Sequence, residues 1–406
     1  MFSRQMGGMG ASYIDPYYIN IVNPASYAFL KATAFDVGLY ARRSSLSEAD
    51  ASVTQWSGNL EYLSLAFPLT NPINEVIEGV KKDYYFGMAF TLMPHSDVSY
   101  NVFSEETDPF VGDYTLNYVG SGGSYKFLWG NAVNYKDFAF GLNLGYLFGN
   151  IQYEQNTIFT ENPAAYFNNF VTDYRLSGFL WNAGFMYNTV LNKKQIANNN
   201  GAPIKRLSIG IHANSNTGFN TNANVNLISV LSTGGATVSD TTSSQNVEGR
   251  GTLPAEIGIG ALYHHGGRMG IGFNYTNTFW SNYSNDAETV GNGNAQELAN
   301  TFKANIGGYF RPSNKTYASY YKKVYYRYGL YYNTDPRNEG GENINSYGIT
   351  LGMGMPFIYQ RKFSHANIGV DLGRRGTGTA VEESYIQFNV SFTYNDDEWF
   401  LKRRYN

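Results

Sequence analysis

From Phe138 to Phe148 the chain alternates: Phe138, Phe140, Leu142, Leu144, Tyr146 and Phe148 share one face of an extended strand, opposite Ala139, Gly141, Asn143, Gly145 and Leu147. The same division recurs at Ile257, Ile259, Ala261 and Tyr263 against Glu256, Gly258, Gly260 and Leu262. Near the end, Ile386, Phe388, Val390, Phe392 and Tyr394 oppose Gln387, Asn389, Ser391 and Thr393. A period of two predicts β-strands. A soluble sandwich would carry Lys, Glu, Thr and Arg on its outward face, whereas here the second face is Gly, Asn and Ser. Small polar residues suit a lumen and the aliphatic and aromatic band suits lipid. The pattern therefore predicts an all-β transmembrane barrel, whose closure satisfies every backbone group.

The strands are expected near residues 33–45, 52–68, 84–103, 113–134, 137–158, 169–189, 204–218, 248–264, 267–281, 297–311, 320–334, 344–358, 361–374 and 382–395, fourteen in all. After even-numbered strands the connections read as tight, as at Tyr135-Lys136-Asp137, His264 to Gly267 and Tyr359-Gln360-Arg361. After odd-numbered strands they read as longer polar loops: Ser104 to Val111, Asn220 to Asn246, Ser281 to Gln296 and Asp335 to Asn343. Short periplasmic turns and long external loops place both termini in the periplasm. Asn71 to Asp83 and Leu191 to Lys205 are longer than this rule expects, and Pro72 to Glu78 has room for a helical turn or two. Residues 1–32 are aromatic and glycine-rich without periodicity, which predicts an N-terminal plug, or hatch, inside the lumen of a barrel spanning 33–395. Residues 396–406, with Asp396, Asp397, Glu398 and Lys402 to Arg404, read as a charged periplasmic tail.

Composition sharpens this reading. Aromatic residues make up 17% of the 406 and charged residues only 15%, with 44 glycines and 12 prolines. That is too little charge for an ordinary soluble surface and too little proline for a disordered chain. Mean hydropathy is −0.35, so helical membrane spans are not expected. The net charge of −3 gives no argument for a nucleic-acid partner. Without cysteine there is no disulfide framework and no thiolate chemistry. Met1 to Gly8 has no basic region followed by an apolar one, so the chain is expected to be the mature form of an outer-membrane protein with its signal peptide removed.

The opening Ser3 to Ser12, with Gly7, Gly8 and Gly10, and the triplet Asn23-Pro24-Ala25 resemble the hatch motifs of the FadL/TodX family of outer-membrane barrels, in the form common in Bacteroidetes. Tyr118 to Tyr125, Leu253 to Gly260 and the stretch from Glu382 to Phe400 are similar as well, so the resemblance runs the length of the chain. It implies a fourteen-stranded barrel, an internal hatch, and passive uptake of hydrophobic or amphipathic small molecules that leave sideways through the wall. Similar barrels also serve as non-transporting subunits of outer-membrane secretion or assembly complexes. The partners so implied are outer-membrane lipid and either a hydrophobic small molecule or other complex subunits.

The lumen face is expected to carry Asp36, Lys126, Arg175, Glu256, Lys303, Arg327 and Asp371, a more polar interior than a greasy channel needs. Their mixed signs favour pairing with one another and with the hatch over a ring that lines a solute path. Tyr40, Trp129, Trp181, Tyr263, Trp280, Tyr332 and Tyr394, read as strand-end residues, are expected in the interfacial aromatic girdles. His264 and His265 are neighbours on a strand and point to opposite faces, which disfavours a shared metal. H-E-x-x-H, G-x-S-x-G and Walker patterns do not occur. No enzymatic activity, cofactor or metal is expected.

Overall fold

The computed structural model describes residues 2–48, 51–70, 72–80, 82–110, 112–159, 167–199, 202–233, 236–287, 298–315, 317–339, 342–359 and 362–399. Fourteen antiparallel wall strands follow one another in chain order, and the last pairs with the first to close the barrel. They are β1 Thr33–Glu48, β2 Ala51–Pro68, β3 Tyr84–Asp97 continued by Tyr100–Asp108, β4 Gly112–Tyr135, β5 Phe138–Phe159 and β6 Phe167–Val190. Next come β7 Lys205–Asn214 continued by Thr217–Thr233, β8 Ala236–Leu253 continued by Glu256–His265, and β9 Met269–Thr278 continued by Ser284–Asn285. The wall is completed by β10 Thr301–Phe310, β11 Tyr325–Glu339, β12 Glu342–Tyr359, β13 Lys362–Arg375 and β14 Val381–Asp396. On β5 Phe140 is 56% exposed on the outer face while Ala139 and Asn143 are fully buried inside.

The polar stretches expected as loops are largely strand. Thr217–Thr233 pairs with Ala236–Leu253 along its whole length, so the described parts of the stretch from Asn220 to Asn246, 220–233 and 236–246, form a ribbon standing above the apolar band. Asn222 and Asn224 bond Asn246 across it, and Ser244 donates to Asn226 at 2.8 Å. Antiparallel pairing satisfies the backbone in water as well as in lipid, so a strand continues past the point where hydrophobic alternation ends. Ser104 to Asp108 and Asp335 to Glu339 are likewise strand. The expected loop from Ser281 to Gln296 begins with a 3-10 turn at Trp280–Asn282, and residues 288–296 of it lie outside the described residues. The tail expected at 396–406 is described only as far as Trp399.

At the opposite rim, where both ends of the wall lie, the turns after β4 and β8 are tight; Lys136, Gly266 and Gly267 take positive φ there. The two long connections that broke the turn rule hold helices, α1 Pro72–Glu78 and α2 Lys193–Asn198. A third holds a helical turn at Tyr320–Lys323 where the alternation had predicted the start of β11.

The hydrophobic core lies within the wall. Residues 2–32 contribute Phe2, Met6, Met9, Tyr13 and Tyr18 to one cluster with Leu262 and Tyr309. Ile19, Tyr27, Ala28 and Leu30 form another with the wall alanines Ala34, Ala66, Ala89 and Ala132. In the second cluster the large side chains come from the N-terminal segment and the strands give only alanines, so the segment is accommodated there without widening the barrel.

Candidate functional site: the lumen and its N-terminal segment

Asn23 is fully buried and ties the segment to itself and to two strands. Its Nδ2 donates to Ala11 O at 2.6 Å, Phe185 O of β6 at 3.2 Å and Ile211 O of β7 at 3.2 Å. Its Oδ1 accepts from Ala25 N at 3.1 Å and so caps the 3-10 turn Pro24–Phe29, which Pro24 starts with its φ already set. Ala25 packs with Ala139 and Met186. Gly7 has φ +72° and donates to Thr350 Oγ1 of β12 at 2.9 Å, while its carbonyl accepts from Asn305 of β10. Ala11 N donates to Asn274 Oδ1 of β9 at 3.0 Å. Gly8 lies against Asn305, and a Cβ at Gly10 would meet Val22.

The wall accepts this backbone because side chains are missing from it. A Cβ on Gly210 would overlap Ala11 O, and one on Gly141 would overlap the Pro24–Ala25 peptide. Gly210→Val is therefore expected to cost on the order of 1–3 kcal/mol and to unseat the segment. Trypsin should then cut after Lys31 in the variant at a concentration that leaves the parent chain intact.

The predicted lumen charges divide. Arg327 is 2% exposed; its Nη1 donates to Gln5 Oε1 at 2.8 Å and to Asn367 Oδ1 at 2.7 Å, and its guanidinium stacks over Tyr18 and Tyr325. Asp371 accepts from Tyr331 Oη at 2.7 Å. Asp36 is buried beside Tyr62 and Thr393. Glu256 lies 3.4 Å from His212 Nε2, accepts from Thr278 Oγ1 at 3.1 Å, and is close enough to Lys303 and Lys126 to feel both charges. Arg175 is not in the lumen. It shares the outer face of β6 with Phe179 and is paired with Asn150 beyond the apolar band, where no alternation remained to assign its face. Ion pairs that sequence reasoning missed join Arg4 to Glu61 at 2.7 Å, Arg42 to Glu383 at 2.7 Å, and Arg337 at 2.9 Å and Arg375 to Asp335. Parity on β1 was a usable signal for Arg42, which lies six residues from Asp36 on the same face. In the N-terminal segment, burial pushes the Asp15 carboxyl up to about 6 although Tyr17 N donates to it at 2.8 Å.

Above the segment is a cavity of about 1180 Å³. Its floor includes Arg4, Ile19, Asn20, Ile21 and Val22, and its sides include Arg42, Lys126, Glu256, Leu128 and Leu180. One side is not a continuous sheet. β2 pairs with β3 only from Leu63↔Leu92 to Pro68↔Gly87; beyond that, β2 pairs with β1 alone and β3 with β4 alone. Pro94, which cannot donate to a ladder, lies two residues past Leu92, and the strand is interrupted at Val98 and Ser99. Met93 to Tyr100 line the cavity beside this interruption.

Two of the expected girdle residues stand elsewhere. Tyr40 lies on the Asp36 face of β1 and lines the cavity, because period two from a lumen residue returns it to the lumen. Trp280 lies in the 3-10 turn between the two parts of β9 and also borders the cavity. Trp129 and Trp181 are on the outer face on either side of Leu144, within the band. Tyr263 lies two residues from the end of β8, Tyr394 meets the Tyr359 ring at 5.9 Å, and Tyr332 stacks on Phe302 at 5.7 Å.

The fold is that of outer-membrane channels already solved. A FadL homologue of Pseudomonas aeruginosa superposes with TM-score 0.57 at 12% identity, over 97% of each chain. The toluene transporter TbuX of Ralstonia pickettii gives 0.56 at 12%, again over 97% of each. The toluene transporter TodX of Pseudomonas putida gives 0.52 at 14%, over 98% of this chain and 97% of that one. No curated protein matches the chain. These likenesses establish a barrel of FadL-like fold, and the sequence is specific where the fold is general: the BamG family model matches residues 1–406, so the chain belongs to the BamG family.

Proposed function

We propose that this protein is a plugged, non-catalytic barrel subunit of a larger outer-membrane complex, with residues 1–32 as its hatch and both termini in the periplasm. The observation that carries the reading is the seating of the hatch. Its backbone and side chains bond β2, β6, β7, β9, β10, β11, β12 and β13, so no solute passes the hatch without breaking bonds around most of the circumference. The rim elaborated by α1, α2 and the Tyr320–Lys323 turn supports it, since periplasmic turns of a simple channel are short. Tyr317 and Tyr321 stand 83% and 74% exposed there, the type of side chain that anchors interfaces.

A tagged chain purified from native membranes in mild detergent is expected to bring stoichiometric partners. A single-chain species, together with an uptake defect in a deletion strain, would overturn the reading. A second reading, a channel for amphipathic small molecules, is favoured by the cavity and the interrupted β2–β3 pairing. It predicts solute flux through the purified barrel in liposomes, and the subunit reading predicts none.

A further inference from the structure

Two arginine pairs, Arg42-Arg43 and Arg374-Arg375, sit on β1 and β13, on either side of β14. Alternation sends one member of each pair inward and the other outward. The inward members are neutralised, Arg42 by Glu383 and Arg375 by Asp335. The outward members, Arg43 and Arg374, are exposed and have no hydrogen-bond or ion-pair partner among the described residues.

They border a depression of about 600 Å³ on the outer wall. The register orders its lining. Ser45, Ser384 and Arg374 form one row across β1, β14 and β13, and Arg43, Ile386 and Leu372 form the next row toward the termini. Ile349 and Leu330 continue that second row on β12 and β11. Below it every row of the band is apolar, through Phe388, Val370 and Leu351. The backbones that carry the two arginines are thus about 12 Å apart, two strands across and two residues along, with the Ser45 and Ser384 hydroxyls in the row of Arg374 and hydrocarbon-facing side chains beneath. Among the described residues the nearest carboxylate on this face, Glu382, lies one row further out and accepts from Gly378 N at 3.0 Å.

We propose that this depression binds a phosphate-bearing lipid of the adjoining leaflet. Arg43 and Arg374 hold the headgroup phosphate, Ser45 and Ser384 donate to its remaining oxygens, and an acyl chain lies on Ile349, Leu372 and Ile386. Guanidinium forks match phosphate oxygens, and a charge at the lipid boundary is stabilised when its counter-ion is fixed there. In the orientation proposed above that leaflet is the external one; the site itself does not rest on that orientation, and it belongs to the barrel alone.

The test uses the purified full chain in neutral detergent, titrated with dihexanoyl phosphatidic acid and read by native mass spectrometry. One equivalent should bind, and Arg43→Ala/Arg374→Ala should weaken it by roughly tenfold or more. Arg175→Ala, which removes another outward arginine, should leave binding unchanged. Heat-modifiable migration reports folding; if the alanine pair fails to fold, Arg43→Gln/Arg374→Gln serves in its place with the same expectation. Unchanged binding in the folded double variant would overturn the proposal. Equal affinity for inorganic phosphate would reduce the site to an anion cluster, and equal affinity for dihexanoylglycerol would reduce it to an apolar groove; either overturns it.

Discussion

Deleting residues 2–32 is expected to leave a folded barrel whose ion conductance in planar bilayers rises on the order of tenfold or more, because a fourteen-stranded wall without its fill encloses water. The wall hydrogen bonds are formed strand to strand and do not use the hatch. The charges uncovered, Arg327 and Asp371 among them, gain hydration in exchange for the partners they lose. A smaller change tests the same point with less disturbance. Asn23→Ala removes bonds to Ala11, Phe185 and Ile211 in a fully buried position, at about 1–3 kcal/mol for the groups left unsatisfied. Brief channel openings should appear in that variant and not in the parent. Conductance unchanged in both, with the barrels still heat-modifiable, would show that the lumen is closed by something other than this segment.

The second large effect concerns lipid. Phe140→Arg places a guanidinium in the outward apolar band of β5 and is expected to cost about 2–4 kcal/mol, enough to deplete the folded form on outer-membrane vesicles. Asn150→Arg on the same strand and face, above the band, should insert normally. The comparison isolates depth, since both side chains point outward from one strand. Equal loss of the heat-modifiable species in the two variants would contradict the position assigned to the lipid boundary.

Alternation determined the strand number, the closure and the outward face, because each follows from period two combined with a solvent that tolerates no unpaired backbone. The same logic failed wherever apolar contrast ended. Arg175 and the Asn220–Asn246 ribbon lie beyond the lipid, where pairing continues but hydrophobicity no longer records it. Asn143 shows a subtler limit. Its sequence environment reads as a wet lumen, yet it is fully buried and donates to Asn182 at 2.7 Å beside the hatch.

Glycines 7, 8 and 10 and the Asn23-Pro24-Ala25 turn mark an unusual N-terminal segment in the sequence; which wall positions receive it did not show there. Gly141 and Gly210 are 69 residues apart and read alike as small lumen residues. Only the closed register brings one against Pro24 and the other against Ala11. The partners of Arg4, Arg42 and Arg375, the interruption between β2 and β3, and the outward pair Arg43 and Arg374 are likewise decided by which strands become neighbours. A local pattern fixes how a residue points along its own strand; what it meets there is set by chain from tens to hundreds of residues away, and that information exists only once the barrel has closed.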